Sequence, residues 1–280
     1  MNRAMITSAN TINQLQQQLD LISNNMSNVQ TTGFKRREAS FVELLAQEYR
    51  NQIFPNREEG RLTPDGIRLG VGARLGQSSA ILSQGNLQKT DRALDVAMTR
   101  EGYFFRVQVN DETGEGIQLT RDGSFSFSVL GDNTLMLTDS SGRPIVDDND
   151  ERILITGTPT DIAISSEGVL RVSTEEGADQ FATIGVVRVD KPQFLEQRGD
   201  NLWDLPTNFD ELGVPMNEVM EFLGADERGQ LGLEQGSLEQ SNVDLQKEMT
   251  NLITTQRQMQ FQSRAISMAD QMMGLVNGIR

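Results

Sequence analysis

The stretch Ile12-Asn13-Gln14-Leu15-Gln16-Gln17-Gln18-Leu19-Asp20-Leu21-Ile22-Ser23-Asn24-Asn25-Met26 sits inside a longer pattern. Met5, Ile12, Leu15, Leu19, Ile22, Met26 and Val29 follow spacings of 7, 3, 4, 3, 4 and 3, with Ser8 at the one polar core position. This is a heptad seam, the mark of a helix that lies along another helix. Residues 5–29 would form a rod about 36 Å long at ~1.5 Å per residue. Gly33, free to adopt positive φ, supplies a natural stop. Charges are scarce: residues 1–34 hold only Arg3 and Asp20. Isolated soluble helices usually carry Glu/Lys pairs on their outer face. An uncharged Asn/Gln/Ser/Thr surface suits identical helices packed side by side, because like charges repeated by symmetry would repel. A loosely ordered Gln-rich leader is the other reading.

The C-terminal end repeats the signal twice. Leu245, Met249, Leu252, Met259, Ile266 and Met273 form one seam, interrupted by Gln256, Ser263 and Asp270. Phe261, Ala265, Met268, Met272, Leu275 and Ile279 form a second, uninterrupted one. The two are offset by two residues, about 200° around a helix of 3.6 residues per turn. Stripes on opposite sides cannot both be buried by one partner helix. One can take the N-terminal helix of the same chain; the other requires neighbouring copies or the middle of the chain. Unbranched methionines suit packing against slightly unequal surroundings.

Between the ends the period changes from helical to alternating. Residues 50–90 are Gly-rich and irregular, with an extended segment over 67–75. From about residue 94 to 190, short β-rich runs recur roughly every ten residues: 103–109, 124–129, 135–138, 153–155, 162–164, 169–172 and 183–189. This spacing predicts an all-β domain. The fold class is therefore α+β: N- and C-terminal helices pairing as a coiled coil, with a central all-β domain. The division runs 1–49 for the N-terminal helix and turn, 50–84 for an extended connection, 85–225 for the β domain, 226–240 for the return, and 241–280 for the C-terminal helix.

Composition excludes several chemistries. The 280 residues include no Cys and no His, which removes triads, Cys/His metal sites and imidazole catalysis. Net charge is −15. Residues 1–37 and 245–280 are slightly basic, leaving −20 for residues 38–244, a surface that repels phosphate and argues against nucleic acid as a partner. No secretory signal is visible and no apolar run reaches the 18 residues of a membrane span. Asp147-Asp148-Asn149-Asp150-Glu151 lacks the Gly and distal Glu of a calcium loop and reads as a solvated turn. The acidic pairs Asp91/Asp95, Glu58/Glu59 and Glu175/Glu176 leave one enzymatic reading open, a cell-wall glycan hydrolase with a carboxylate dyad on the β domain. No catalytic, metal or cofactor residue is assigned.

Several blocks resemble signatures of the bacterial flagellar rod and hook (axial) protein family. These are Asn24-Asn25-Met26-Ser27-Asn28-Val29-Gln30-Thr31-Thr32-Gly33-Phe34-Lys35 at the N-terminus, Gln84-Gly85-Asn86-Leu87-Gln88-Lys89-Thr90, Leu94-Asp95-Val96-Ala97-Met98, Gly102-Tyr103-Phe104-Phe105 and Thr120-Arg121-Asp122-Gly123-Ser124-Phe125 in the middle, and Ser241-Asn242-Val243-Asp244-Leu245 followed by Glu248-Met249-Thr250-Asn251-Leu252-Ile253-Thr254-Thr255-Gln256-Arg257. Gly70-Val71-Gly72-Ala73-Arg74 and the chain length look most like the distal-rod type, including its Gram-positive paralogues. The resemblance implies a non-enzymatic structural subunit that self-assembles into a helical tube for motility. It implies type III export beyond the cytoplasmic membrane without a cleaved signal peptide, to the flagellar basal body. Its implied partners are copies of itself, other rod and hook subunits and the flagellar export apparatus. The implied motif residues are Asn24, Asn25, Asn28, Thr31, Gly33, Phe34, Lys35, Ser241, Asn242 and Val243. The seams add an expected assembly interface of Ile12, Leu15, Leu19, Ile22, Met26, Leu252, Met259, Phe261, Ile266, Met268, Met272, Leu275 and Ile279.

Overall fold

A computed structural model describes residues 2–43, 46–49, 67–70, 73–111, 114–131, 133–175, 177, 179–199, 201–206, 215–224 and 228–278. The chain divides into two compact units. One comprises Met1–Met26, Arg37–Ser78 and Leu245–Arg280; the other comprises Ser27–Arg36 and Ser79–Asp244.

The first unit holds both long helices, α1 (Asn2–Ser27) and α2 (Leu245–Gly278). In α1 the heptad positions decide what is covered. Leu15 and Ile22 are buried, and Met5, Ser8, Ile12, Leu19 and Met26 are half-buried. The helix starts at Asn2 and stops at Ser27, two residues short of the expected end at Val29, where the Asn/Thr/Gly run turns the chain. Beside the helices lies a β ribbon. Arg37–Glu43 is hydrogen-bonded to Ala73–Ala80, and Ala46–Tyr49 runs antiparallel to Ile67–Gly70. The extended segment expected over 67–75 thus contributes to two strands, with Val71 and Gly72 outside the described residues. Asn25 starts the ribbon. Its side-chain amide donates to the Arg37 carbonyl at 2.9 Å and accepts from the Arg37 N–H at 3.0 Å, so it serves Arg37 as a neighbouring strand would.

The second unit is β-rich. Its largest sheet has six strands in the order Glu196–Gln197, Leu202–Asp204, Gly114–Thr120, Tyr103–Asp111, Val186–Val189 and Met220–Phe222, with every neighbouring pair antiparallel. Successive side chains of a strand point to opposite faces. Phe105, Val107 and Val186 therefore enter the larger core with Phe125, Leu137, Ile145, Leu170 and Ile184, and Phe105 meets Phe125 edge-on at 5.0 Å. Phe104, Leu119, Val187 and Trp203 form a smaller core on the other face. Two three-stranded sheets cover the larger core: Leu154–Thr156, Thr134–Thr138 and Ser126–Gly131, then Pro159–Ile164, Val169–Thr174 and Asp179–Thr183. Two short pairs finish the unit, Leu233–Gln235 with Val96–Met98 and Ser237–Glu239 with Leu87–Lys89.

The sequence reading takes 183–189 as one strand and 147–151 as a solvated turn. The run 183–189 is two strands. Ile184 donates to Gly168 O and Gly185 to Val146 O, so these two residues leave their sheets and redirect the chain. The turn 147–151 is exposed at its tip but pinned at its base. Asp147 Oδ1 accepts from the N–H groups of Asn149 and Glu151 at 2.8 and 2.9 Å. Buried Arg106 donates to the carbonyls of Asp147 and Asp148 and pairs with Asp150, while buried Arg228 pairs with Asp148.

Candidate assembly site

Two features of the structure draw on the residues singled out by sequence. The first is α2. Its covered face is a heptad line of Glu248, Leu252, Thr255, Met259, Gln262, Ile266, Ala269 and Met273. Leu252, Met259 and Ile266 fall where the first seam put them. Their neighbours differ. Leu245, Met249, Gln256, Ser263 and Asp270 are exposed, and the helix instead covers the line one position away. Thr255 and Ala269 are small and admit close approach, whereas covering Asp270 would desolvate a charge. Buried Glu248 stands in the first turn, where the helix dipole favours an acid. The second stripe lies open. Phe261 is 67% exposed, Met268 56%, Met272 50% and Leu275 69%, and Ile253 and Val276 extend it. Ala265 is half-buried, and Ile279 lies outside the described residues.

The second feature is a buried charge node within the β unit. Past the end of α1, Thr31 N–H and Oγ1 both turn back onto Asn28, at 3.3 and 3.1 Å. The chain then passes through Gly33 at φ 67°, where an added Cβ would lie 2.5 Å from the Arg121 carbonyl carbon. That approach delivers Phe34 and Lys35 to the interior, 2% and 1% exposed. Lys35 Nζ donates to Glu239 Oε1 at 2.7 Å and to Ser83 O at 2.9 Å. Glu239 also receives Arg121 Nε on Oε2 at 2.6 Å and Gly85 N–H on Oε1 at 2.8 Å, and its carbonyl accepts from Gly33 N–H at 2.7 Å. The remaining Arg121 donors reach the carbonyls of Tyr103 and Arg100, both at 2.6 Å. All three charged side chains are essentially inaccessible.

A second layer surrounds the node. Asn242 Oδ1 accepts from Arg36 N–H at 2.6 Å, and its amide donates to Ile81 O and Ser83 O at 2.8 and 3.0 Å. Ser241 Oγ accepts from Val243 N–H, and Val243 itself is buried. Thr32 Oγ1 donates to Asp122 Oδ1 at 2.9 Å, and Asn201 donates to the Thr32 carbonyl. The motif residues Gly33, Phe34, Lys35 and Asn242, far apart in sequence, therefore meet at one place, which also fixes residues 27–36 to residues 239–244. Asn25 serves the ribbon instead, and Asn24 is exposed on α1.

The electrostatics of the node follow from burial. Desolvation holds the Lys35 ammonium below its ordinary value, and the Arg121 charge adds to this; Glu239 pulls the other way but does not offset them. Burial alone would raise Glu239, yet the charges and hydrogen bonds of Arg121 and Lys35 outweigh it and hold the carboxyl below its ordinary value. One acid thus serves two cations. Sequence reasoning missed Arg121 and Glu239 as partners, although Arg121 sits in the Thr-Arg-Asp-Gly block and Glu239 two residues before the Ser-Asn-Val block. Gly33→Ala is expected to loosen the node: thermal melting should show a loss of more than about 1 kcal/mol, because both the backbone conformation and the space exclude a Cβ.

Both ends of the chain match known protein families. The family description "Flagella basal body rod protein" matches residues 5–35, and "Flagellar basal body rod FlgEFG protein C-terminal" matches residues 234–279. The flagellar hook-basal body complex protein FlhP of Bacillus subtilis is 42% identical over 285 residues, covering all of both chains. The flagellar basal-body rod protein FlgG of Buchnera aphidicola (Acyrthosiphon pisum) is 36% identical over 258 residues, 91% of each chain. FlgG of Borreliella burgdorferi is 32% identical over 284 residues, 100% of this chain and 99% of its own. The two family matches take in α1 with the Gly33 turn and Glu239 with α2. This chain belongs to the flagellar basal-body rod FlgEFG family and is a structural subunit of the bacterial flagellum.

Proposed function

We propose that the chain is a non-enzymatic distal-rod subunit whose helical ends assemble with neighbouring copies into a helical tube. The observation that carries this reading is the apolar stripe left open along α2 while a half-polar line is covered. An apolar stripe of this length is costly in water and marks a surface awaiting a partner. α1 and α2 share one compact unit, and each covers a heptad line, which supports their pairing as a coiled coil. The open stripe then belongs to contacts with other copies and with other rod and hook subunits. Those contacts are heterologous, so growth continues along the tube. The family match supports placing the chain outside the cytoplasmic membrane, reached through the flagellar export apparatus without a cleaved signal peptide. No described helix is long and apolar enough to cross a membrane.

The hydrolase reading finds less support. Asp95 is 1% exposed, accepts from Thr90 Oγ1 at 2.8 Å and pairs with Arg92, so it is occupied structurally. Incubating the purified full chain with peptidoglycan and following its light scattering separates the two classes. Concentration-dependent polymerisation with no released glycan is expected; glycan release without polymerisation would favour the enzyme. In cells, deletion should abolish motility and leave basal bodies lacking the distal rod.

A further inference from the structure

We infer that residues 228–244 are a detachable strap, and that the groove they fill is a binding surface that accepts the same segment from a second copy when the chain's own strap is displaced. The segment is laid across the rest of the β unit. At its start, buried Arg228 donates to the carbonyls of Glu167 and Ile184 at 3.2 and 3.4 Å and pairs with Asp148. Leu231 and Leu233 then enter the larger core, 0% and 7% exposed. Leu233 N–H donates to Ser166 O at 3.1 Å, and Gly232 O accepts from Thr99 N–H at 2.9 Å and from Thr99 Oγ1 at 2.6 Å. Gln235 Nε2 donates to Ala93 O and Ile162 O at 2.8 and 3.0 Å, and its Oε1 accepts from Ile164 N–H at 3.3 Å. Gly236 N–H donates to Asp95 O, and Gly236 O accepts from Thr90 N–H, both at 2.7 Å. Near the far end Glu239 closes the charge node.

What the strap leaves untouched makes it separable. Among the described residues, the six-stranded sheet and both three-stranded sheets take no strand from 228–244, and the smaller core takes no side chain from it. Those sheets keep their own pairing with the strap lifted. The two short pairs do not. Among the described strands, Val96–Met98 pairs only with Leu233–Gln235, and Leu87–Lys89 only with Ser237–Glu239. Lifting the strap thus uncovers two strand edges, the apolar space of two leucines, and the cations Lys35 and Arg121. Together these define the occupant. Open edges take an extended peptide as an added strand, and pockets for alternate side chains make the choice specific. The apolar space calls for a Leu-x-Leu run, and the cations call for a carboxylate at the place of Glu239. In the open groove both cations meet water; in the filled groove they are desolvated, and an occupant bearing that acid compensates them. A second copy carries this segment in identical form, so the strap can be exchanged between copies as swapped elements are. The surface stands whether or not the chain polymerises as proposed above.

The test uses the full chain with its own strap disabled. Leu231→Asp combined with Leu233→Asp sets two carboxylates against an apolar core, which expels the resident segment. The probe is a fluorescently labelled synthetic peptide of residues 228–244. Trp203 lies in the smaller core, so its emission shows whether the sheets stay folded. The double variant is expected to keep the emission of a buried tryptophan and to melt at a lower temperature than the unaltered chain. It should bind the peptide, and its midpoint should climb back as peptide is added. The unaltered chain, with its groove already filled, should take up none. A peptide carrying Glu239→Gln should bind about 100-fold more weakly, because it buries two cations without their acid. Emission of an unfolded chain from the double variant would overturn the proposal, since 228–244 would then be an integral part of one cooperative core. So would a folded double variant that binds no peptide, equal binding by the unaltered chain, or equal binding of the Glu239→Gln peptide. Light scattering of the unaltered chain without peptide decides the assembly reading separately.

Discussion

Replacing Met268 and Met272 together by Asp is expected to abolish assembly and motility while leaving the β unit as stable as before. Both side chains are at least half exposed in the single chain, so the substitution should not disturb the subunit itself. In the tube the stripe Phe261, Met268, Met272 and Leu275 would be covered by neighbouring copies. Two unpaired carboxylates would then be desolvated at every repeated contact, at a cost of about 3–5 kcal/mol for each buried charge left without a partner. Trp203, the single tryptophan, is buried in the smaller core, so its fluorescence reports melting of the β unit alone. An unchanged Trp203 transition with no polymer by light scattering is the expected pair of results. Wild-type assembly would show that the stripe is not an intersubunit surface. A lowered Trp203 transition would mean that the stripe is covered by the chain's own middle. Phe261→Asp should act in the same direction, since that ring is the largest apolar group on the stripe.

The parts of the fold legible in the sequence were those with a long period. Six apolar residues at heptad spacing, Met5 to Met26, mark α1, and the alternation Ser-Phe-Ser-Phe-Ser-Val marks a strand with no helical alternative. On α2 the line Leu252, Met259, Ile266 and Met273 was equally plain, but such a line can be flanked on either side. Counting apolar residues favours the side with Leu245 and Met249. Packing favours the side with Thr255 and Ala269, where small residues let backbones approach and Asp270 stays in water. Strands of three residues such as Leu233–Gln235 and Ser237–Glu239 carry one apolar side chain each and have no period to read. Arg37–Glu43 becomes a strand through pairing with Ala73–Ala80, a long-range partner that no local window contains. The charge node is less legible still. Lys35 and Glu239 are 204 residues apart, and a lone Lys beside Arg36 and Arg37 reads as solvated. Only the family signature pointed to Lys35, and it did so without naming a partner.

Removing the single acid of the node should have the largest effect on the β unit. Glu239→Gln keeps the shape of the side chain and leaves Lys35 and Arg121 as two buried cations facing a neutral amide. Stripping one partner from a buried ion pair costs about 3–5 kcal/mol. For a unit of this size that lowers the midpoint by roughly 10 °C. Lys35→Met alone should cost far less, because it leaves the Arg121–Glu239 pair intact and removes a cation that burial already disfavours. Adding Lys35→Met to Glu239→Gln should therefore recover part of the loss, a non-additivity expected of groups in one network. The pH dependence gives an independent reading. Glu239 is held below its unfolded value, so its contribution is present above the ordinary carboxylate range and disappears as pH falls through the folded value. Lys35 is also held below its unfolded value of 10.5. The unfolded chain then binds the extra proton, and stability rises as pH climbs from the folded value toward 10.5. In a series of Trp203 melts, Glu239→Gln should flatten the acid limb and Lys35→Met the alkaline rise. Unchanged midpoints in Glu239→Gln would show that the node is not what fixes residues 27–36 to residues 239–244, and the close approach at Gly33 would then have to do so alone.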